Sequence, residues 1–241
     1  MPFLSHLIEL RRRLVASLLA LLAGSVACFL AYDPIARFLM APLEGLGVGG
    51  PGGELLYATS IFEAFMVKFK VSVVAGLILS FPFHAYNCLR FVFPGLRPRE
   101  RKIVGATLCA ALVLTFAGFY FGYYHIIPAM VGILTSPALL PGKVGYLLGY
   151  ERNTFFLLHF LLAMLLVFQL PLIMELLLIL KVLKRRAVLK AARYVVVGIF
   201  VLAAIVTPSP DMVSQLMVAI PLIALFFLAI LAAKVFKFGE G

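Results

Sequence analysis

The sequence has no tryptophan, three cysteines and ten acidic residues in 241, and charged residues of either sign make up only 13% of it. Each shortage excludes something. A soluble domain carries about a quarter charged residues, so this chain cannot clothe a water-facing surface of ordinary size. Without tryptophan, an interfacial belt must be built from Tyr and Phe. Cys28, Cys88 and Cys109 lie in or beside apolar runs and form no CxxC pair. They read as small buried hydrophobes, not as metal ligands or a disulfide framework. His6, His84, His125 and His159 fall in separate segments without metal-ligand spacing. HExxH, P-loop and GxSxG patterns are missing as well. The chain is therefore not read as an enzyme, and no cofactor or metal is expected.

What the sequence does have is apolar length. Hydrophobic residues make up 64% of it, and a bilayer span needs about 20 in a row. The runs predict an all-α integral membrane protein, a single membrane domain over 1–241, with spans at about 14–32, 62–86, 103–127 and 154–180. The first run follows a basic segment, as in a signal peptide. It is too long for a signal core and ends at no small-x-small site, so it reads as a retained span. The last apolar region, 194–233, is too long for one crossing and is interrupted by "TPSPD", Thr207–Asp211. Two prolines remove two backbone donors and Asp211 adds a charge. The region divides into spans at 194–206 and 212–233, making six. The fifth is short, about 20 Å at 1.5 Å per residue against a hydrocarbon core of about 30 Å.

Basic residues give the orientation. Arg11, Arg12 and Arg13 precede the first span, and Arg90, Arg97, Arg99, Arg101 and Lys102 follow the second. Lys181, Lys184, Arg185, Arg186, Lys190 and Arg193 follow the fourth, and Lys234 and Lys237 follow the last. With six spans, these sixteen of the 21 Lys and Arg residues lie on one side. The positive-inside rule makes that side, and both termini, cytoplasmic. The net charge of +11 is then accounted for by topology and anionic lipid, not by nucleic acid. The first outer connection opens with an amphipathic piece, 35–43, followed by the flexible "GLGVGGPGG". No internal repeat is visible, although many transporters have one.

A few polar residues need a reason. Glu9 is one of very few cytoplasmic carboxylates. As a helical residue it precedes Arg12 by three and Arg13 by four, pairs that contribute about 0.2–0.5 kcal/mol. Glu100 in "RPRERK" suits the first turn of a helix opened by Pro98. Gln169 and Gln215 lie in apolar surroundings and should face protein or a wet cavity. Gln169 is open to two readings, a helix–helix hydrogen bond or a functional contact.

The motifs "HLIELRRRL" (His6–Leu14), "APL" (Ala41–Leu43), "FVFPGLRPRERK" (Phe91–Lys102), "TPSPDMVSQ" (Thr207–Gln215) and "AIPL" (Ala219–Leu222) occur in this order. Together they make the chain resemble, over almost its whole length, the TatC subunit family of the twin-arginine protein translocase. The resemblance implies a cytoplasmic (inner) membrane protein with six transmembrane helices, the fifth and sixth short. It would recognise signal peptides with consecutive arginines and export folded proteins using the protonmotive force. Single-span TatA or TatB-type subunits, membrane lipids and further copies in an oligomer are the implied partners.

Carried onto this chain, Glu9 and Glu100 match the acidic positions of the family's signal-binding surface. Arg11, Phe91, Pro94, Leu96 and Arg101 match their neighbours, and Pro42 matches the proline of the first outer loop. Gln169, Thr207, Asp211 and Gln215 match polar positions near where partner helices dock. Many family members have a membrane glutamate where Gln169 stands, and some carry one within the segment matching Leu225–Ala229; this chain has neither. The competing class, a small-solute transporter or channel, predicts an intramembrane ionisable cluster, and the sequence has no obvious one.

Overall fold

The computed structural model describes residues 2–44, 56–92, 98–136, 148–179, 182–207 and 212–235, with the side chains of 2–5, 44, 92 and 98–104 outside that description. Among the described residues the regular structure is helical. Its elements are α1 (Pro2–Leu30), α2 (Tyr32–Glu44), α3 (Ile61–Val92), α4 (Pro98–Phe121), a π-helical turn (Gly122–Ile126) and α5 (Ile127–Leu134). Next come α6 (Tyr150–Val167), α7 (Leu170–Ile179), α8 (Arg185–Val206) and α9 (Met212–Val235). Six runs are long and apolar enough to cross a membrane: His6–Leu30, Ile61–Phe91, Gly105–Leu134, Tyr150–Ile179, Arg185–Val206 and Met212–Val235. The last two are the shortest, with 22 and 24 residues against 25 to 31 for the others.

Three boundaries differ from the sequence reading, each for a physical reason. The fifth helix starts at Arg185, not 194. Its first nine residues, "RRAVLKAAR", are too charged for a hydropathy window but consist mostly of strong helix formers. The whole helix is about 33 Å long, while its apolar part keeps the short length read from sequence. The third span continues through Pro128 to Leu134 instead of ending at 127. Pro128 lacks an N–H and its ring crowds the carbonyl four residues back. The π turn, closed by the Ile127 N–H on the Gly122 carbonyl, widens the helix just before that proline. The fourth span is broken at Phe168–Gln169, where the Gln169 N–H bonds Leu166 O at 3.0 Å. Pro171 follows as the second residue of α7. Cys28 is buried as expected, but Cys88 and Cys109 are exposed. In a membrane protein an apolar residue can face lipid instead of protein.

The chain divides into two compact units, Met1–Leu112 with Leu134–Leu158, and Val113–Ile133 with His159–Gly241. In the first unit α1 and α3 pack in opposite directions. Ser17 meets Asn87 (3.1 Å), Gly24 meets Gly76, and the Lys68 ammonium lies 4.7 Å from the Phe29 ring. The contact is close because both helices place a glycine there. A Cβ on Gly76 would stand 2.4 Å from the Ser25 backbone nitrogen, and one on Gly24 would stand 2.9 Å from Gly76 O. The amphipathic α2 buries Leu39 and Leu43, with Pro42 half-buried between them.

Glu63 holds the other end of α3. Its carboxylate is buried and accepts the Ser60 N–H (3.2 Å), the Thr59 hydroxyl (2.7 Å) and the Thr59 N–H. The second oxygen accepts the Glu151 N–H at 2.8 Å, at the start of α6. One side chain thus satisfies orphan donors at two helix N-termini. Lys70–Glu151 (2.8 Å), the Tyr32–Tyr150 hydroxyl pair and the paired backbones of Tyr57 and Gly149 surround it. The signal was in the sequence, because Ser60-Ile61-Phe62-Glu63 at the head of an apolar run is a capping-box spacing.

In the second unit an added Cβ on Gly118 would lie 2.8 Å from the Phe168 ring, and one on Gly122 would lie 3.2 Å from Met164. α9 buries a stripe of Val218, Leu222, Phe226, Ala229 and Ala233, the three-to-four spacing of one helix face.

Two outcomes are expected in thermal unfolding of the purified protein in detergent. Gly76→Val should destabilise by at least about 1–3 kcal/mol, the usual range for overpacking, while Gly105→Ala, with nothing within 4 Å of the new carbon, should leave the midpoint unchanged. Glu63→Gln turns an amide toward backbone donors and should cost about 1–3 kcal/mol. A wild-type midpoint in Glu63→Gln would dismiss the clasp.

Candidate functional site

The segment "HLIELRRRL" forms the first turns of α1, where Glu9, Arg12 and Arg13 follow at helical spacing. The last turns of α3 lie beside it. Between them is an open groove of about 530 Å³, lined by Ile8, Glu9, Arg12, Arg13 and Ala16 from α1 and by Tyr86, Asn87 and Arg90 from α3. Among the described residues, Glu9 is the one carboxylate lining this groove, beside three arginines.

The groove is a built structure. The Asn87 amide donates to the Ser17 hydroxyl at 3.1 Å and locks the two helices below it. Arg90 donates to the Tyr86 hydroxyl at 2.8 Å and rests against that ring. His6 and Phe91 stack with centroids 4.5 Å apart and planes 17° from parallel. Arg13 donates to Glu9 Oε1 through Nε (3.0 Å) and through a terminal nitrogen. Both bonds reach the same oxygen, and Glu9 Oε2 has no partner among the described residues.

That asymmetry has a chemical consequence. An i,i+4 ion pair on a half-exposed helix face is worth only about 0.3–0.5 kcal/mol. Arg13 therefore orients Glu9 without closing it to a second guanidinium. A guanidinium suits the remaining oxygen, because its flat fork can direct two N–H groups at one oxygen, as Arg13 does at Oε1, where a lysine ammonium is a point charge. Three arginines in the same groove repel a cation that does not reach the carboxylate, so a ligand must place its charge accurately.

The other sequence-derived residues divide into three groups. Phe91 belongs to the groove's rim through His6, whereas Arg11 is exposed and does not line the groove. Glu100 and Arg101 lie in the first turn of α4, opened by Pro98 as read from sequence, but their side chains fall outside the described residues. Pro94, Leu96 and Asp211 lie outside them altogether. The remaining polar positions sit in the second unit, each with its own hydrogen bond. The buried Gln169 amide donates to the Thr115 hydroxyl at 3.1 Å. The Thr207 hydroxyl donates to Ala203 O at 2.9 Å and closes α8. Gln215, in the first turns of α9, donates to Phe200 O at 2.8 Å and ties α9 to α8. The Gln169–Thr115 bond is of the kind that the first reading of Gln169 describes.

Sequence reasoning overlooked Tyr86, Asn87 and Arg90 as groove residues. Arg90 was counted only toward topology, and Asn87, a polar residue within an apolar run, was the available signal.

A family model for "Sec-independent protein translocase protein (TatC)" matches residues 5–221. The chain is 31% identical to the Sec-independent protein translocase protein TatC of Carboxydothermus hydrogenoformans, over 98% of this chain and 94% of that one. It is 35% identical to the protein of the same name from Synechocystis sp., over 94% and 85%. A crystal structure of the twin arginine translocase receptor TatC superposes with a TM-score of 0.81 at 26% identity, covering 96% of this chain and 99% of that one. The family model over most of the chain, the relatives at 31% and 35% identity and the shared fold place this chain in the TatC family of Sec-independent protein translocase proteins.

Proposed function

We propose that the chain is the signal-peptide receptor and core subunit of a twin-arginine translocase in the cytoplasmic membrane, with both termini on the cytoplasmic side. It exports folded proteins at the expense of the protonmotive force. The observation that carries this reading is Glu9, set in a groove between α1 and α3 with one carboxylate oxygen open. Sixteen of 21 basic residues on one side of six spans support the orientation. That charge places the groove on the cytoplasmic face, where a signal peptide arrives.

Two consecutive arginines need two anchored carboxylates. Glu9 supplies one from α1, and Glu100, in the first turn of α4, supplies the second. The motif resemblance assigns Arg11, Phe91, Pro94, Leu96 and Arg101 to the same surface, and Phe91 stacks on His6. A Lys-Lys peptide keeps the charge but loses the paired bonds, which separates recognition from attraction. The test is photocrosslinking of an Arg-Arg signal peptide added to the cytoplasmic face of inverted membrane vesicles. Glu9→Ala and Glu100→Gln should each lower the yield by about tenfold or more, the 1.5–3 kcal/mol scale of a charged hydrogen bond, and Lys-Lys should bind comparably poorly. Unchanged crosslinking in both variants sinks the assignment.

A single-span TatA or TatB-type subunit docks along α8 and α9, near Thr207 and Gln215, with Asp211 the further polar residue that the motif resemblance assigns to it. The support is Gln215, which is half-exposed and has a carboxamide oxygen available beside its bond to Phe200 O. Gln169, buried against Thr115, acts from behind by holding α6 and α7 in place. Disulfide scanning with cysteines at Gln215 and Met212 against the partner's membrane segment should give strong pairs. If every partner position fails to pair, the docking site lies elsewhere.

A further inference from the structure

The second unit contains a groove that none of the sequence motifs accounts for. It is about 480 Å³ and lies among α7, α8 and α9. Pro171 and Met174 form one side, Leu222 and Phe226 another. Among the described residues, none lining it is polar. Its floor is the stripe Ala187, Ala191, Val195, Gly198 and Leu202 of α8, three or four residues apart, so it follows one face of the helix. From Ala187 to Leu202 it runs about 22 Å at 1.5 Å per residue. One leaflet's share of a hydrocarbon core about 30 Å thick is shorter than that. The groove is an elongated, apolar concavity that follows α8 and opens to the side. Small residues make it: Ala187 and Ala191 leave room, and a Cβ built on Gly198 meets nothing within 4 Å.

The charge at one end is lopsided. Lys184, Arg186 and Lys190 are exposed at the head of α8, between or beside the lining residues Leu183, Ala187 and Ala191. None of the three has a carboxylate partner among the described residues. Lys184 sits at the N-cap position without a side-chain cap bond. α9 returns toward the same end and carries Lys234 in its last turn. Glu175, the one acidic residue described in this unit, neighbours Met174 on α7 but does not line the groove. An elongated apolar groove with a cationic mouth has the two-part chemistry of a diacyl lipid with a negative headgroup.

We propose that this groove is a specific site for one anionic phospholipid. An acyl chain lies along Ala187–Leu202 and the phosphate is held by Lys184 and Lys190. The lipid fills the concavity between the half-helix α7 and the α8–α9 hairpin, and so sets the spacing on which the hairpin's outer face depends. The site is independent of arginine recognition by Glu9, and its test reads lipid binding alone.

The experiment is native mass spectrometry of the full chain, delipidated in detergent and titrated with phosphatidylglycerol or with phosphatidylcholine of the same acyl chains. One phosphatidylglycerol should bind in clear preference. Lys184→Gln combined with Lys190→Gln should weaken it about 30-fold, for two surface cations at about fivefold each, and should erase the preference. Gly198→Leu, which extends into open groove, should expel both lipids while circular dichroism and the thermal midpoint show a folded protein. Equal binding of the two lipids by the wild type, or unchanged phosphatidylglycerol binding in Gly198→Leu, overturns the proposal. So does competition by glycerol phosphate as effective as by the lipid, which would mean an anion site without a chain. A photocrosslinker at Gly198 that captures a polypeptide in membranes instead of lipid would assign the groove to a partner helix and overturn it as well.

Discussion

Hydrocarbon offers no hydrogen bonds, and every feature of this chain inside the membrane follows from that constraint. Backbone groups must be satisfied within each span, so the spans are helices. Prolines within them then need a local remedy. Ahead of Pro128 the remedy is a π turn, which lets the helix continue to Leu134. Ahead of Pro171 it is a break at Phe168–Gln169, with the Gln169 side chain directed to Thr115. Around Pro208 and Pro210 one helix ends at Val206 and the next begins at Met212. The same constraint acts on side chains. Gln169, Thr207, Ser80 and Asn87 are buried, and each bonds to a named neighbour.

Outside the hydrocarbon the governing term is charge, and it separates two uses of arginine. Most basic residues contribute to topology by number and side alone. Arg13 differs because geometry gives it a partner, and the pair is weak enough to leave Glu9 usable. A stronger clamp, with both carboxylate oxygens occupied, would have made Glu9 a structural residue. The half-used carboxylate among Arg12, Arg13 and Arg90 instead resembles a binding group held ready by a neighbour of like charge to its ligand. Glu63 shows the opposite case. Both its oxygens are used, it is buried, and it serves the fold.

The number and order of the six helices, and the division of the last apolar region into two, were legible from the sequence, because hydropathy and charge are summed over many residues and tolerate local error. The motif resemblance singles out Glu9 and Gln215. Boundaries were less legible where two rules conflicted. The basic start of α8 fails a hydropathy window yet has good helix propensity, and Pro128 signals a stop that the π turn overrides. Glu63 was readable from its capping-box spacing but lacked any hint of its distant partner, the Glu151 N–H.

What the sequence alone determined is the set of spans and the inventory of rare polar groups, since both depend on residue type and short-range spacing. Only the tertiary structure decided which of those groups meet. Asn87 finds Ser17 across 70 positions and Gln169 finds Thr115 across 54, and no local pattern encodes such pairings. It also decided that Gly24 and Gly76 let α1 and α3 approach closely enough to form the Glu9 groove at their ends. The physical reason is that helix approach depends on which small side chains happen to face each other, and that is a property of two segments packed together, not of either one alone.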